Sequence, residues 1–201
     1  DVADGSAYDK DKILLLVPQL KGDKVNVQEL SRTIALYNDD GAIKLHVNFQ
    51  PDGDGYRAVV SAVTGKKVVY GVQFANNGNK YSGNWRGTTT YVNRNLTGRG
   101  DTLGAAFVST TSLDKDSNVR QGAVSYRWNL PSSGDTLTFS ASHSDSKLTN
   151  LSTTPLFDLS ATGKSTRAGV SYQHYFKHSQ RERDFLDFGL NYHQTDNGLE
   201  L

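Results

Sequence analysis

The stretch AVSYRWNLPSSGDTLTFSAS, Ala123 to Ser142, decides how the chain is read. Val124, Tyr126, Trp128 and Leu130 fall on one parity, and Ala123, Ser125, Arg127 and Asn129 on the other. A period of two belongs to a β-strand. LPSSGD turns the chain, and the alternation resumes with Leu137, Phe139 and Ala141 opposed by Thr136, Thr138, Ser140 and Ser142. One face is greasy and aromatic; the other is small and hydrogen-bonding. A soluble sandwich hides the greasy face in a core. A membrane barrel turns it to lipid and keeps a polar lumen.

The same pattern extends in both directions. Ala168, Val170 and Tyr172 oppose Arg167, Gly169, Ser171 and Gln173, and Leu186, Phe188, Leu190 and Tyr192 oppose Asp187, Gly189, Asn191 and His193. About seven strands are expected, over 67–76, 84–95, 101–112, 119–130, 135–145, 165–177 and 184–194. Most reach ten residues or more, about twice the usual strand of five or six. Tyr91, Trp128 and Tyr192 stand near strand ends, where amphipathic rings suit a lipid interface. NLTGRGD and LPSSGD are short connections, while Lys147 to Lys164 is long, the alternation of a barrel. These features favour a transmembrane barrel over a soluble β-rich binding or adhesive domain. Seven strands is odd and below the eight of the smallest bacterial barrels. An open sheet in lipid would leave a row of amides unsatisfied. The expectation is therefore a fragment of a larger barrel, or strands still to be found.

Upstream of Gly65 the periodicity differs. Ile13 to Leu16 would close a helix that Pro18 cannot continue, since proline lacks the amide donor. Gly22 and Asp23 form a turn, and Asn26 caps a helix carrying Val27, Leu30, Ile34 and Tyr37 at helical spacing. Asn38 to Gly41 end it. Ile43, Leu45, Val47 and Phe49 alternate with Lys44, His46 and Asn48 as a half-buried strand. PDGDG turns at Pro51 to Gly55, and Tyr56 to Val63 returns. A helix and a hairpin expose more apolar surface than they cover, and no earlier strand or helix is convincing in this sequence.

Composition bounds the remaining choices. The chain has 201 residues, room for one or two domains. The mean hydropathy of -0.56 looks soluble, and the apolar run Ile13 to Val17 is too short for a spanning helix. Barrel strands need no such run. A net charge of +1 provides no basic field for nucleic acid. Without cysteine there are no disulfides and no thiolate metal sites. The opening DVADGSAYDKDK has no signal-peptide pattern, so a cytosolic, mature or excised chain is expected.

Several residues invite a chemical reading. Arg99, Gly100 and Asp101 spell an integrin motif but sit inside a turn, and Asn95 begins a glycosylation sequon. His174 and His178 are four apart, a spacing that converges on a helix and not on a strand. Arg181 to Asp184 read as a solvated hairpin tip. Arg86, Arg94, Arg127 and Arg167 either line a lumen and pair with Asp187 or are scattered surface charge. No serine, histidine and acid combine into a nucleophilic motif. No enzyme and no cofactor are expected.

PQLKGDKVNVQELSRTIALYNDDGAIKLHVNFQPDGDGYRAVVSAV, Pro18 to Val63, resembles the second POTRA domain of two-partner secretion outer-membrane transporters of the hemolysin-activator type, in the Omp85 superfamily. NNGNKYSGNWRGTTTYVNRNLTGRGDTL, Asn76 to Leu103, is similar to the first barrel hairpin of that family, with its N-L-x-G-x-G-D turn. The family's V-R-G-Y/F loop motif has no counterpart here. The resemblance implies a POTRA-like periplasmic module over 1–66, incomplete at its N-terminus, and N-terminal strands of an outer-membrane β-barrel over 67–201. It also implies a secreted partner, hemolysin- or adhesin-like, met unfolded by the module and passed through the barrel, with outer-membrane lipid around the strands. Capture would be β-augmentation at the edge strand Ile43 to Phe49, reported by Lys44, His46 and Asn48. The alternative is an ordinary sheet edge protected by Lys44. A barrel-assembly factor of the same superfamily is the near rival.

Overall fold

The computed structural model describes residues 1–22, 24–40, 42–78, 83–111, 118–148, 160–179 and 181–200. Asp9 caps α1 (Lys10–Leu16), its carboxylate accepting from the Lys12 N–H at 2.9 Å. Pro18 then opens a 3-10 turn, Pro18–Leu20. The Asn26 side chain accepts from the amides of Gln28 and Glu29 at the start of α2 (Val27–Asp40). The hairpin of β1 (Ile43–Asp52) and β2 (Gly55–Thr64) closes with Asp52 opposite Gly55.

Two expectations about this unit are corrected. The missing cover is present: Val60 N–H donates to Asp1 C=O at 3.0 Å and Ala3 N–H to Val60 C=O at 2.9 Å, so the first residues pair along the outer side of β2. A three-residue pairing leaves no periodicity to read. With α1 it completes a core of Leu16, Val17, Leu30, Tyr37, Ile43, Leu45 and Ala62. Second, α2 runs through Asn38 to Asp40 and does not end at Tyr37. Asparagine weakens helices by bonding locally, but Asn38 spends its amide on β1 instead, as described below.

From Val68 a single antiparallel meander follows, ordered β3-β4-β5-β6-β7-β8-β9. Its strands are β3 (Val68–Ala75), β4 (Trp85–Arg94), β5 (Thr102–Thr111), β6 (Asn118–Leu130), β7 (Asp135–Leu148), β8 (Ser160–His178) and β9 (Arg183–Glu200). All seven expected strands are present. The last three run further than alternation predicts, and the connection expected over Lys147 to Lys164 is strand at both flanks; residues 149–159 lie outside the described residues. The cause is visible on β9: after Tyr192 its greasy parity continues as Gln194 and Asp196, so both faces become polar and the pattern fades. Asp23, Gly41 and Ser112 also lie outside the described residues.

Register fixes the faces. Tyr126 opposes Phe139, Phe139 opposes Val170, and Val170 opposes Leu190. Trp128, Phe139 and Leu190 are 40%, 44% and 78% exposed, so this face is not the interior of a sandwich. Nearly all buried apolar side chains belong instead to the α/β module, with Tyr175 the exception. From Leu186 to Tyr192 the greasy face spans about 20 Å at 3.4 Å per residue, close to the roughly 25 Å apolar band of an outer-membrane barrel. Tyr91 is inside β4, with its ring 5.3 Å from that of Tyr70, and not at the strand end. Trp128 does stand at the short-turn rim of β6.

Candidate functional site

The outer edge of β1 is the first part of the site. Lys44, His46 and Asn48 are exposed. Their parity turns their side chains away from the buried Ile43 and Leu45. Leu45 is not free at this edge. Asn38 of α2 donates to its C=O at 3.1 Å and accepts from its N–H at 2.7 Å. One side-chain amide thus occupies the place of a neighbouring strand at one peptide. Because main-chain groups alternate in direction along an antiparallel strand, those of Val47 and Phe49 also face outward, beyond the Asn38 plug.

The second part is the junction between α2 and the short-turn rim of the sheet. Three hairpin tips meet the module. At the first, the Tyr37 ring, 1% exposed, lies on Gly100 so closely that an added Cβ would stand 2.3 Å from Cε1. Gly100 has φ +76, and its N–H donates to the Asn95 side chain at 2.8 Å while Asn129 donates to its C=O at 2.6 Å. Asn95 also donates to the Tyr8 hydroxyl at 3.0 Å. At the second tip, Gln19 and Thr33 both donate to the Pro131 C=O, at 2.7 and 3.1 Å. At the third, Arg32 donates to the Tyr175 C=O at 2.7 Å. There Asp39 holds His178 at 2.6 Å and Arg183 at 2.7 Å.

Buried carboxylates stiffen two of these tips. Asp101 accepts from the Thr97 N–H at 2.9 Å, the Thr97 hydroxyl at 2.8 Å and the Tyr126 hydroxyl at 2.9 Å. Burial alone would raise its pKa, but the hydrogen bonds from Thr97 and Tyr126 outweigh burial and hold it below the usual value. Asp135 accepts from the Tyr172 hydroxyl at 2.7 Å and faces His174 at 3.1 Å. The sequence carries this device twice, as Gly100-Asp101-Thr102-Leu103 and Gly134-Asp135-Thr136-Leu137. That repeat could have been found by eye. Tyr37, Arg32, Thr33 and Asp39 could not, since they read as ordinary positions on an amphipathic helix. The structure also settles the decoys. Asp101 is fully buried, Asn95 is buried and bonded, and His174 and His178 have separate acidic partners.

The third part is the inner wall. Parity puts Arg86, Arg94, Arg127, Arg167 and Asp187 all on the small, polar face. Arg167 shares a register row with Ser142, Ala123, Ala106 and Thr90, and with them lines a shallow hollow. Asp187 stands opposite Gln173, nearer the module. Among the described residues, no ion pair joins Asp187 to Arg86, Arg94 or Arg167.

Comparison with known proteins bears on this arrangement. A family model described as "Haemolysin secretion/activation protein ShlB/FhaC/HecB" matches residues 56–200. Among solved structures, CdiB from Escherichia coli is similar at 17% identity and a TM-score of 0.77, over 94% of this chain and 35% of that one. CdiB from Acinetobacter baumannii is similar at 16% identity and a TM-score of 0.76, over 98% of this chain and 38% of that one. The chain therefore spans little more than a third of either structure. No curated protein sequence matches.

Proposed function

The chain belongs to the haemolysin secretion/activation family ShlB/FhaC/HecB, the two-partner secretion transporters of the Omp85 superfamily, and on that premise we propose that its N-terminal unit, residues 1–66, is a POTRA module that captures an unfolded secreted protein. The module faces the periplasm, and the strands from residue 67 onward sit in the outer membrane. The partner is a hemolysin- or adhesin-like protein that passes along the polar wall. No bond is made or broken, so the protein is not an enzyme; refolding of the partner outside supplies the bias.

One observation carries this reading. A β-edge with outward main-chain groups at Val47 and Phe49 belongs to a module that is seated on three hairpin tips at one rim of a sheet whose apolar face is exposed. An extended segment adds to such an edge through its own amides, with little demand on sequence. Lys44, His46 and Asn48 then flank the added strand.

The test places a photo-crosslinking residue at His46, at Asn48 and, as a control on the neighbouring strand, at Val63, in cells exporting the partner. Adducts with the exported protein at 46 and 48, and few at 63, are expected. Equal adducts at all three positions, or export unaffected by Phe49→Pro in a module that remains folded, would remove the edge from the mechanism.

A further inference from the structure

The open edge of β1 has two ends. On β2, Val60 and Ala62 commit their main-chain groups to residues 1–7, away from β1. Their register partners are Val47 and Leu45. Those two residues, with Phe49 and Pro51 at the same alternation, therefore turn their own main-chain groups outward. At one end Asn38 fills both groups of Leu45, donating to its C=O at 3.1 Å and accepting from its N–H at 2.7 Å. At the other end Pro51 has no N–H to give, and the hairpin turns directly after it, with Asp52 opposite Gly55. Between these limits Val47 and Phe49 each offer a donor and an acceptor, and Pro51 an acceptor alone. Among the described residues nothing else takes these groups.

A plug on a loose tether would be pushed aside by an arriving strand. Asn38 is not on a loose tether. It lies between Tyr37, whose ring packs on Gly100, and Asp39, which holds His178 and Arg183. Both of its chain neighbours are thus fixed at hairpin tips of the sheet. A strand that took Leu45 would replace two hydrogen bonds by two of its own, while ordering a further pair of residues against their conformational entropy. Pairing beyond Val47 is therefore uphill. Side chains fix the register within the window. Val47 is half-buried and Phe49 is 38% exposed on the face toward the helices, while Asn48 points to solvent. Cross-strand neighbours share a face, so the residues of an added strand opposite Val47 and Phe49 are apolar and the one between them is polar.

We propose that Asn38 is a register stop: it confines strand addition to Val47–Pro51 and selects an extended five-residue segment with apolar side chains at alternate positions. The stop rests on the capture reading above and adds a length and a pattern to it. It makes Asn38 a positioning residue, which acts through the Leu45 peptide and touches the captured chain only at its end.

The experiment uses the intact protein extracted from its outer membrane in detergent. The probes are Val-Thr-Val, Val-Thr-Val-Thr-Val and Val-Thr-Val-Thr-Val-Thr-Val, each with a Gly-Lys-Lys tail carrying a dye, followed by anisotropy. The five-residue probe should bind about fivefold or more tighter than the three-residue one, and the seven-residue probe should gain less than about twofold beyond that. In Asn38→Ala the Leu45 groups are open, and the seven-residue probe should bind about fivefold tighter than the five-residue one. A fivefold gain at seven residues in the wild type overturns the stop, as does an Asn38→Ala protein whose affinities level off at five. If Asn38→Ala does not fold, the wild-type series decides alone. N-methylation of the central valine should weaken the five-residue probe by about fivefold. No loss on N-methylation means that main-chain bonds do not hold the probe, which removes capture at β1 and the stop with it. A loss on N-methylation together with a fivefold gain at seven residues in the wild type sinks the stop and leaves capture standing.

Discussion

Gly100→Ala is the sharpest probe of the junction between module and sheet. The added Cβ would lie 2.3 Å from Tyr37 Cε1 and 2.5 Å from Cδ1. Carbon atoms rest about 3.5–4.0 Å apart, so the ring must retreat by more than about 1 Å. It has nowhere to go, being packed in the module core at 1% exposure. The backbone at φ +76 adds about 1–2 kcal/mol for an L-residue. Losing the aromatic seat entirely sets a ceiling of about 3–5 kcal/mol. In a Tyr37→Ala background the clash disappears, and Gly100→Ala should cost only its backbone strain. The coupling between the two sites is then about 2 kcal/mol, or roughly thirty-fold in the exchange rate of α2 amides followed by mass spectrometry in detergent. Tyr37→Phe should match wild type, since the hydroxyl has no hydrogen-bond partner among the described residues. Gly100→Ala exchanging like wild type, or costing the same with and without the Tyr37 ring, would refute docking by this contact.

Four further outcomes are expected. Asp39→Ala strips a buried histidine and an arginine of their shared acceptor, and should loosen the third hairpin tip by about 1–3 kcal/mol, read as faster proteolysis at Ser179 to Arg183. Asp101 has a folded pKa below its unfolded value of about 3.9, so its contribution is complete above that pH and disappears as pH falls through the lower folded value. Asp101→Asn should abolish that acid-limb dependence of junction stability in a pH titration of α2 exchange. Leu190→Arg should cost about 2–4 kcal/mol in folding into liposomes, while Asn191→Arg one position away should cost little. Asn38→Ala should expose the Leu45 amide and speed its exchange, leaving the rest of β1 protected as before.

The sheet was legible because its two faces differ in polarity residue by residue, and Val124 to Leu130 keep that alternation without exception. Beyond Tyr192 both faces of β9 are polar, so the alternation fades although its pairing with β8 continues to Ser160 and Glu200. The module's helix and hairpin were legible for the same reason, one face being buried. What escaped was pairing without periodicity, as at Asp1 to Ala3, and contacts between distant segments. Arg32 and Tyr175 lie 143 positions apart, and nothing local to either residue announces the bond. The exposure of Lys44, His46 and Asn48 was legible because an edge strand advertises its polar parity; the Asn38 plug beside them was hidden in a residue that looked like a helix stop.

Three separate hairpins must present the Gly100 backbone, the Pro131 carbonyl and the Tyr175 carbonyl to one rigid helix at once. A one-residue slip in β6–β7 would carry its tip about 3.4 Å along the strand, more than a hydrogen bond can stretch. Seating of the N-terminal unit therefore acts as a ruler laid across the growing wall. It fits only after each ribbon has zipped in its proper frame, and a wrongly threaded barrel would betray itself by a dangling head.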